Sequence, residues 1–145
     1  MKVVLVSTYD LGRQPFGLAS PAAWLRASGH QVSLCDLAVG SLPTLEVREA
    51  DLVAFHLPMH TATRLAAQAI AHVRLLNDRA RLCCYGLYAP LNEEYLRSLG
   101  VHVVLGPEFE ADLLDLVEEH SSPTTSPDLP RLLFIAPDRN GLPVL

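Results

Sequence analysis

Short, unbroken apolar runs alternate with helix-patterned segments five times along this chain, and few architectures accept that rhythm. The runs fall at residues 3–7, 31–36, 52–57, 81–85 and 101–105. They are continuous rather than alternating, as parallel strands buried on both faces require. Between them the spacing predicts helices over 18–28, 45–50, 62–76, 92–99 and 110–120. Gly29 and Gly100 stand just past two of these helices, where a left-handed residue belongs. Asn92 suits a helix N-cap, with Glu93 and Glu94 favourable in the first turn. Trp24, Leu18, Ala22 and Leu25 form an apolar stripe on the first helix, and Leu65, Ala69, His72, Val73 and Leu76 form one on the third.

Together these elements predict an α/β fold. The sheet is expected to be five-stranded, parallel and doubly wound, flavodoxin-like (Rossmann-like), in the order 2-1-3-4-5 with helices on both faces. At 145 residues the chain has room for one domain with a real core. That domain is expected over residues 1–120. The stretch Ser121-Ser-Pro-Thr-Thr-Ser-Pro-Asp-Leu-Pro130 reads as a linker. Residues 131–136 are apolar again and 137–141 form a turn cluster. The segment 131–145 therefore reads as a connector, and residues 131–136 are expected to fold back as an added strand or in an extended form over the domain, through buried contacts of Leu132, Phe134 or Ile135.

A net charge of −5 argues against a nucleic-acid partner, which calls for a basic face. No apolar run reaches the roughly 18 residues of a membrane helix, and Met1 leads straight into a strand rather than a signal peptide. Cys35, Cys83 and Cys84 are an odd set without metal-type spacing. No disulfide framework is expected, and a reducing, cytoplasmic setting is.

In such a sheet the ligand sits beyond the strand C-termini, near the switch point between the first and third strands. The loops that meet there cover residues 8–17, 58–61, 86–90 and 106–109, and they carry Gly12, Gly17, Gly86 and Gly106. These glycines either admit close backbone approach to a ligand or simply make turns. Several ligands are disfavoured by spacing. Gly12 and Gly17 do not form a dinucleotide fingerprint, and Lys2, the only lysine, lies far from any P-loop position. The third strand ends in Phe55-His56-Leu57 and the fifth in Leu105-Gly106, which leaves no phospho-receiver set.

Four pieces of sequence carry a resemblance. The first is Pro15-Phe-Gly-Leu-Ala19 before a helix that ends Leu25-Arg-Ala-Ser-Gly-His30, and the second is Ala50-Asp-Leu-Val-Ala-Phe-His56-Leu-Pro-Met-His60-Thr-Ala-Thr63. The third is Tyr85-Gly-Leu-Tyr-Ala89 with Leu91-Asn92, and the fourth Leu105-Gly-Pro-Glu-Phe-Glu110 before an acidic amphipathic helix. In order and spacing the chain resembles the N-terminal cobalamin (vitamin B12)-binding domain of radical SAM proteins, over about residues 2–119. Its tail, Phe134-Ile-Ala-Pro-Asp-Arg139 and Gly141-Leu-Pro143, looks like the connector to their catalytic barrel.

The resemblance implies a corrinoid against the carboxyl edge of the sheet, with its nucleotide tail entering between strands. It assigns to that cofactor Thr8, Tyr9, Asp10, Gly12, Gln14, Gly17, His56, Leu57, Met59, Thr61, Tyr85, Gly86, Tyr88, Gly106 and Glu108. Asp10-Leu-Gly12-Arg13 stands where cobalt-ligating members carry Asp-x-His-x-x-Gly, so no first-loop histidine is expected on cobalt. Tyr85 is bulky where relatives often have glycine, and its ring is expected to fill part of the tail slot. The barrel's closely spaced cysteines are absent, which assigns S-adenosylmethionine and the iron–sulfur cluster to a separate catalytic domain, the expected partner.

Each residue also has a plainer reading. His56 is either a hydrogen-bond donor at the pocket or a satisfied strand-end histidine. His56 and His60 do not make a metal pair, because Pro58 breaks helical geometry between them. Asp10 either accepts from a ligand amide or holds the loop as an Asx-turn. Glu108 either points at the pocket or complements a helix dipole. Cys83 and Cys84 read as apolar filling. His30, His72, His102 and His120 read as surface or structural. Two functions lead: a corrinoid-binding module of a radical SAM enzyme, or a domain that kept the fold, lost the cofactor and serves as an interaction or structural unit. A small α/β enzyme using Asp10, His56 and Glu108 is the weakest, for want of a nucleophile beside an orienting base.

Overall fold

The computed structural model describes residues 1–119 and 135–144. Five parallel strands form one sheet in the order β2-β1-β3-β4-β5. They are β1 (Lys2–Ser7), β2 (Gln31–Asp36), β3 (Leu52–His56), β4 (Arg81–Tyr85) and β5 (Val103–Val104). The helices are α1 (Phe16–Ala27), α2 (Thr44–Glu49), α3 (His60–Leu76), α4 (Glu93–Ser98) and α5 (Glu110–Glu118). The doubly wound order expected from the sequence is the one found. Its cause is visible in the burial, since neighbouring side chains on each central strand enter opposite cores. Val3, Leu5, Leu52, Ala54, Cys83 and Tyr85 pack under α1 and α5, whereas Val4, Val6, Val53, Phe55, Leu82 and Cys84 pack under α2, α3 and α4. Among the described residues no helix is long and apolar enough to cross a membrane.

Four local expectations are corrected. β5 is shorter than residues 101–105, because the Val101 amide turns back to the Leu96 carbonyl and closes α4. Asn92 precedes α4 but does not cap it with its side chain, which donates instead to the Tyr88 carbonyl. The buried stripe of α3 is Ala62, Ala66, Ala69, Ile70 and Val73, and Leu65 lies 43% exposed at its margin. Small alanines let α3 settle close to the sheet, which leaves the larger leucine on the rim. Trp24 is likewise only half-buried, while Leu18, Ala22 and Leu25 are fully buried. Gly29 and Gly100 do end α1 and α4 in the left-handed region, at φ 85° and 89°.

The proposed linker and residues 131–134, with Leu132, Phe134 and His120, lie outside the described residues. The segment from 135 onward packs against the domain in an extended form. Its buried anchor is Leu142, not Ile135, which is 39% exposed.

Candidate functional site at the carboxyl edge

The last residues of four neighbouring strands lie side by side. Asp36 pairs in register with Ser7, Ser7 with His56, and His56 with Tyr85. Residues in register on parallel strands share a face. Here that face lies under α1 and α5, and all four side chains are buried. The result is a polar rung, Asp36–Ser7–His56–Tyr85, across the carboxyl edge at the switch point.

α1 closes this rung from above. Pro21 sits inside α1 and has no N–H, so the Gly17 carbonyl four residues earlier loses its helical donor. The Tyr85 hydroxyl supplies that donor at 2.8 Å. Gly17 has a second task. A Cβ at this position would collide with the His56 ring, so only glycine lets the first turn of α1 lie on that ring. His56, Tyr85 and Phe109 then form a closed aromatic group, with ring centroids 4.7 to 5.7 Å apart. Ser20 of α1 donates to Glu110 of α5 at 2.7 Å, which joins the two helices over the group. Tyr85 is completely buried.

Burial sets the protonation states. It pushes the His56 pKa down to about 4, so the imidazole is neutral near pH 7. It raises the Tyr85 phenol well above its ordinary value. The Cys35 and Cys84 thiols are pushed up to about 12, by burial first and for Cys35 also by the Asp36 charge. Ser7 Oγ and His56 Nδ1 are buried without a hydrogen-bond partner among the described residues. The buried His56 and Tyr85 side chains are thus both uncharged near pH 7. No three His, Cys, Asp or Glu side chains among the described residues stand close enough to hold a metal ion.

The opposite side of the same edge is open. A cleft of about 530 Å³ lies between the β2–α2 loop and α3, lined by Thr8, Leu37, Leu42, Leu65, Gln68 and His72 among others. Thr8 follows Ser7 and faces the other way, donating to the Ala62 carbonyl at 2.8 Å.

The residues assigned to a cofactor thus separate. Gly17, His56 and Tyr85 come together in the closed group. Thr8 lines the open cleft, Leu57 is buried in the α2/α3 core, and Tyr88 packs against that core. Gly86 adopts φ 110°, and a Cβ there would lie 3.0 Å from the Leu57 carbonyl, so this glycine serves packing between strand ends. The Gly86 amide donates to the Gly106 carbonyl at 3.2 Å. In the β1–α1 loop Tyr9 and Asp10 are half-buried. The Asp10 carboxyl is held above its usual value by burial and by Asp36, against an opposing pull from Arg13. The Arg13 amide returns to the Asp10 carbonyl, forming a turn with Leu11 and Gly12 at φ 51° and 72°. Gln14 donates to the Pro143 carbonyl of the tail. Met59 accepts from the Thr63 amide and hydroxyl, while Thr61 and Glu108 are exposed.

Sequence reasoning missed Ser7, Asp36, Phe109 and Pro21 as parts of the site. The first two carried a signal, since each ends its apolar run with a polar residue in the phase of His56 and Tyr85. Pro21 carried another, four residues after Gly17.

No family model and no curated protein matches this sequence. Among solved structures, the flavodoxin-like domain of a Synechococcus sp. protein is similar at 16% identity and a TM-score of 0.44, over 70% of this chain and 72% of that one. The fold assignment rests on the observed strand order and helix layers.

Proposed function

We propose that this chain is a cobalamin-binding-like domain whose cofactor slot is closed by its own aromatic side chains, and that it serves as an interaction or structural module of a larger protein. One observation carries this reading: the fully buried Tyr85 ring, bonded to the Gly17 carbonyl and packed with His56 and Phe109 between the strand ends and α1. A corrinoid's nucleotide tail, entering between strands at this edge, would need the volume that these rings occupy. The residues present do not fit that tail.

The competing reading, a corrinoid-binding module of a radical SAM enzyme, is supported by the order and spacing of the four sequence pieces. In that reading S-adenosylmethionine and the iron–sulfur cluster belong to a separate barrel. The cysteines here offer no substitute, because Cys35, Cys83 and Cys84 are buried and free.

The test is direct. The protein is mixed with hydroxocobalamin, desalted, and its absorption recorded. A colourless protein is expected. Stoichiometric retention of the corrinoid would reinstate the competing reading.

A further inference from the structure

We propose that the surface formed by α1 and β2 is a latch for the extended segment 135–144, and that this latch holds the β1–α1 loop, so that displacement of the connector is felt at the carboxyl edge. This rests on the reading of the chain as a module of a larger protein.

Arg26, in the last turn of α1, is the clasp. Its guanidinium donates to the Asp138 carboxylate at 2.7 Å, to the Asn140 carbonyl at 3.1 Å and to the Val32 carbonyl of β2 at 2.8 Å. One planar group therefore ties helix, edge strand and segment together. The Asp138 amide donates to the Ala19 carbonyl of α1 at 3.0 Å. The segment brings its own turn, in which the Asp138 carboxylate accepts from the Asn140 amide at 2.9 Å and the Leu142 amide donates to the Arg139 carbonyl at 3.0 Å. That local order lowers the entropy lost on docking. Leu142 then joins the buried cluster under α1 and α5.

The far end of the segment reaches the β1–α1 loop. Gln14 Nε2 donates to the Pro143 carbonyl at 2.8 Å. Gln14 follows the turn in which Leu11 holds φ 51°, a conformation that a leucine keeps only when its surroundings enforce it. The segment thus holds the C-terminal end of the loop at Gln14, and α1 into which the loop runs.

The grip is releasable. Among the described residues it has one buried side chain and one ion pair that is about a quarter exposed on each side. Elements held by so few buried contacts open well below the global unfolding limit.

Amide hydrogen exchange on the full chain tests the coupling. Leu142→Asp alters only the segment, and Arg26→Ala removes the clasp. In both variants the amides of 135–144 should exchange at least about tenfold faster, the loop amides over 8–17 should accelerate with them, and β3 and β4 should stay as protected as before. Leu142→Asp also covers the case in which Arg26→Ala disturbs α1 itself. A freed segment with an unchanged loop would overturn the proposal, and so would a segment that stays protected in Leu142→Asp. The closed-slot reading has a separate readout, corrinoid retention. The coupling can therefore fail while the slot stays closed, or stand while the protein takes up a corrinoid.

Discussion

Ser7 and Thr8 are consecutive residues at the end of β1, and they face two very different environments. Ser7 points under α1 into the rung with Asp36, His56 and Tyr85, where buried rings fill the space between strand ends and helix. Thr8 points toward α3, into a cleft of about 530 Å³ with leucine, glutamine and histidine on its walls. Strand alternation alone separates the two. What differs is the filling. On the α1 side, Gly17 and Pro21 bring the helix down onto His56 and leave one carbonyl for Tyr85 to satisfy. On the α3 side, Leu65 and His72 remain on the rim instead of closing the space. A flavodoxin-like edge can therefore be sealed on one side and open on the other without any change in strand order.

Removing the filling should have the largest consequence. Tyr85→Gly deletes a fully buried ring and leaves the Gly17 carbonyl without a donor, for an expected loss on the order of 3–5 kcal/mol in urea unfolding. A loss below about 1 kcal/mol would mean that the α1 side is as loosely filled as the α3 side.

A smaller effect is expected from pH. In the unfolded chain His56 titrates near its ordinary value of 6.5, and in the fold burial holds it down to about 4. The unfolded state binds the proton first, so stability falls with acid. The His56 contribution is fully present above pH 6.5 and is lost as pH drops toward 4, on the order of 3 kcal/mol over that window. Comparing urea midpoints of the protein and His56→Phe between pH 7 and 4 measures it. Equal pH slopes would place His56 in solvent and erase the contrast between the two sides.

The smallest effect belongs to the open side. Leu65→Ala should shift the unfolding midpoint by about 0.5 kcal/mol or less, because the leucine is 43% exposed. A loss comparable with that of Tyr85→Gly would show that the cleft is part of the core.

The sheet was readable in advance because each strand is an unbroken apolar run, and burial on both faces leaves few alternatives to the parallel order. Residue-level detail was harder wherever two local rules compete. The stripe on α3 was read from its largest side chains, but close packing buried the alanines and left Leu65 outside. Val101 looks like strand, yet its amide closes the turn after α4. At the site, Tyr85, His56 and Gly17 were each identifiable. Their closure over one another depended on Pro21 freeing a carbonyl and on register placing four strand ends in a row, relations that no single motif expresses. The tail showed the same limit. Among the described residues its contacts come from Asp138, Leu142 and the carbonyl of Pro143, while Ile135 is exposed.

The proposed closure of the slot is tested most directly by titrating hydroxocobalamin into the isotopically labelled protein and following the ring signals of Tyr85, His56 and Phe109 by NMR. A sealed edge predicts that these signals neither shift nor broaden as the corrinoid is added. Saturable shifts in all three would show the cofactor entering the space between the strand ends and α1, and would contradict the closure of the slot.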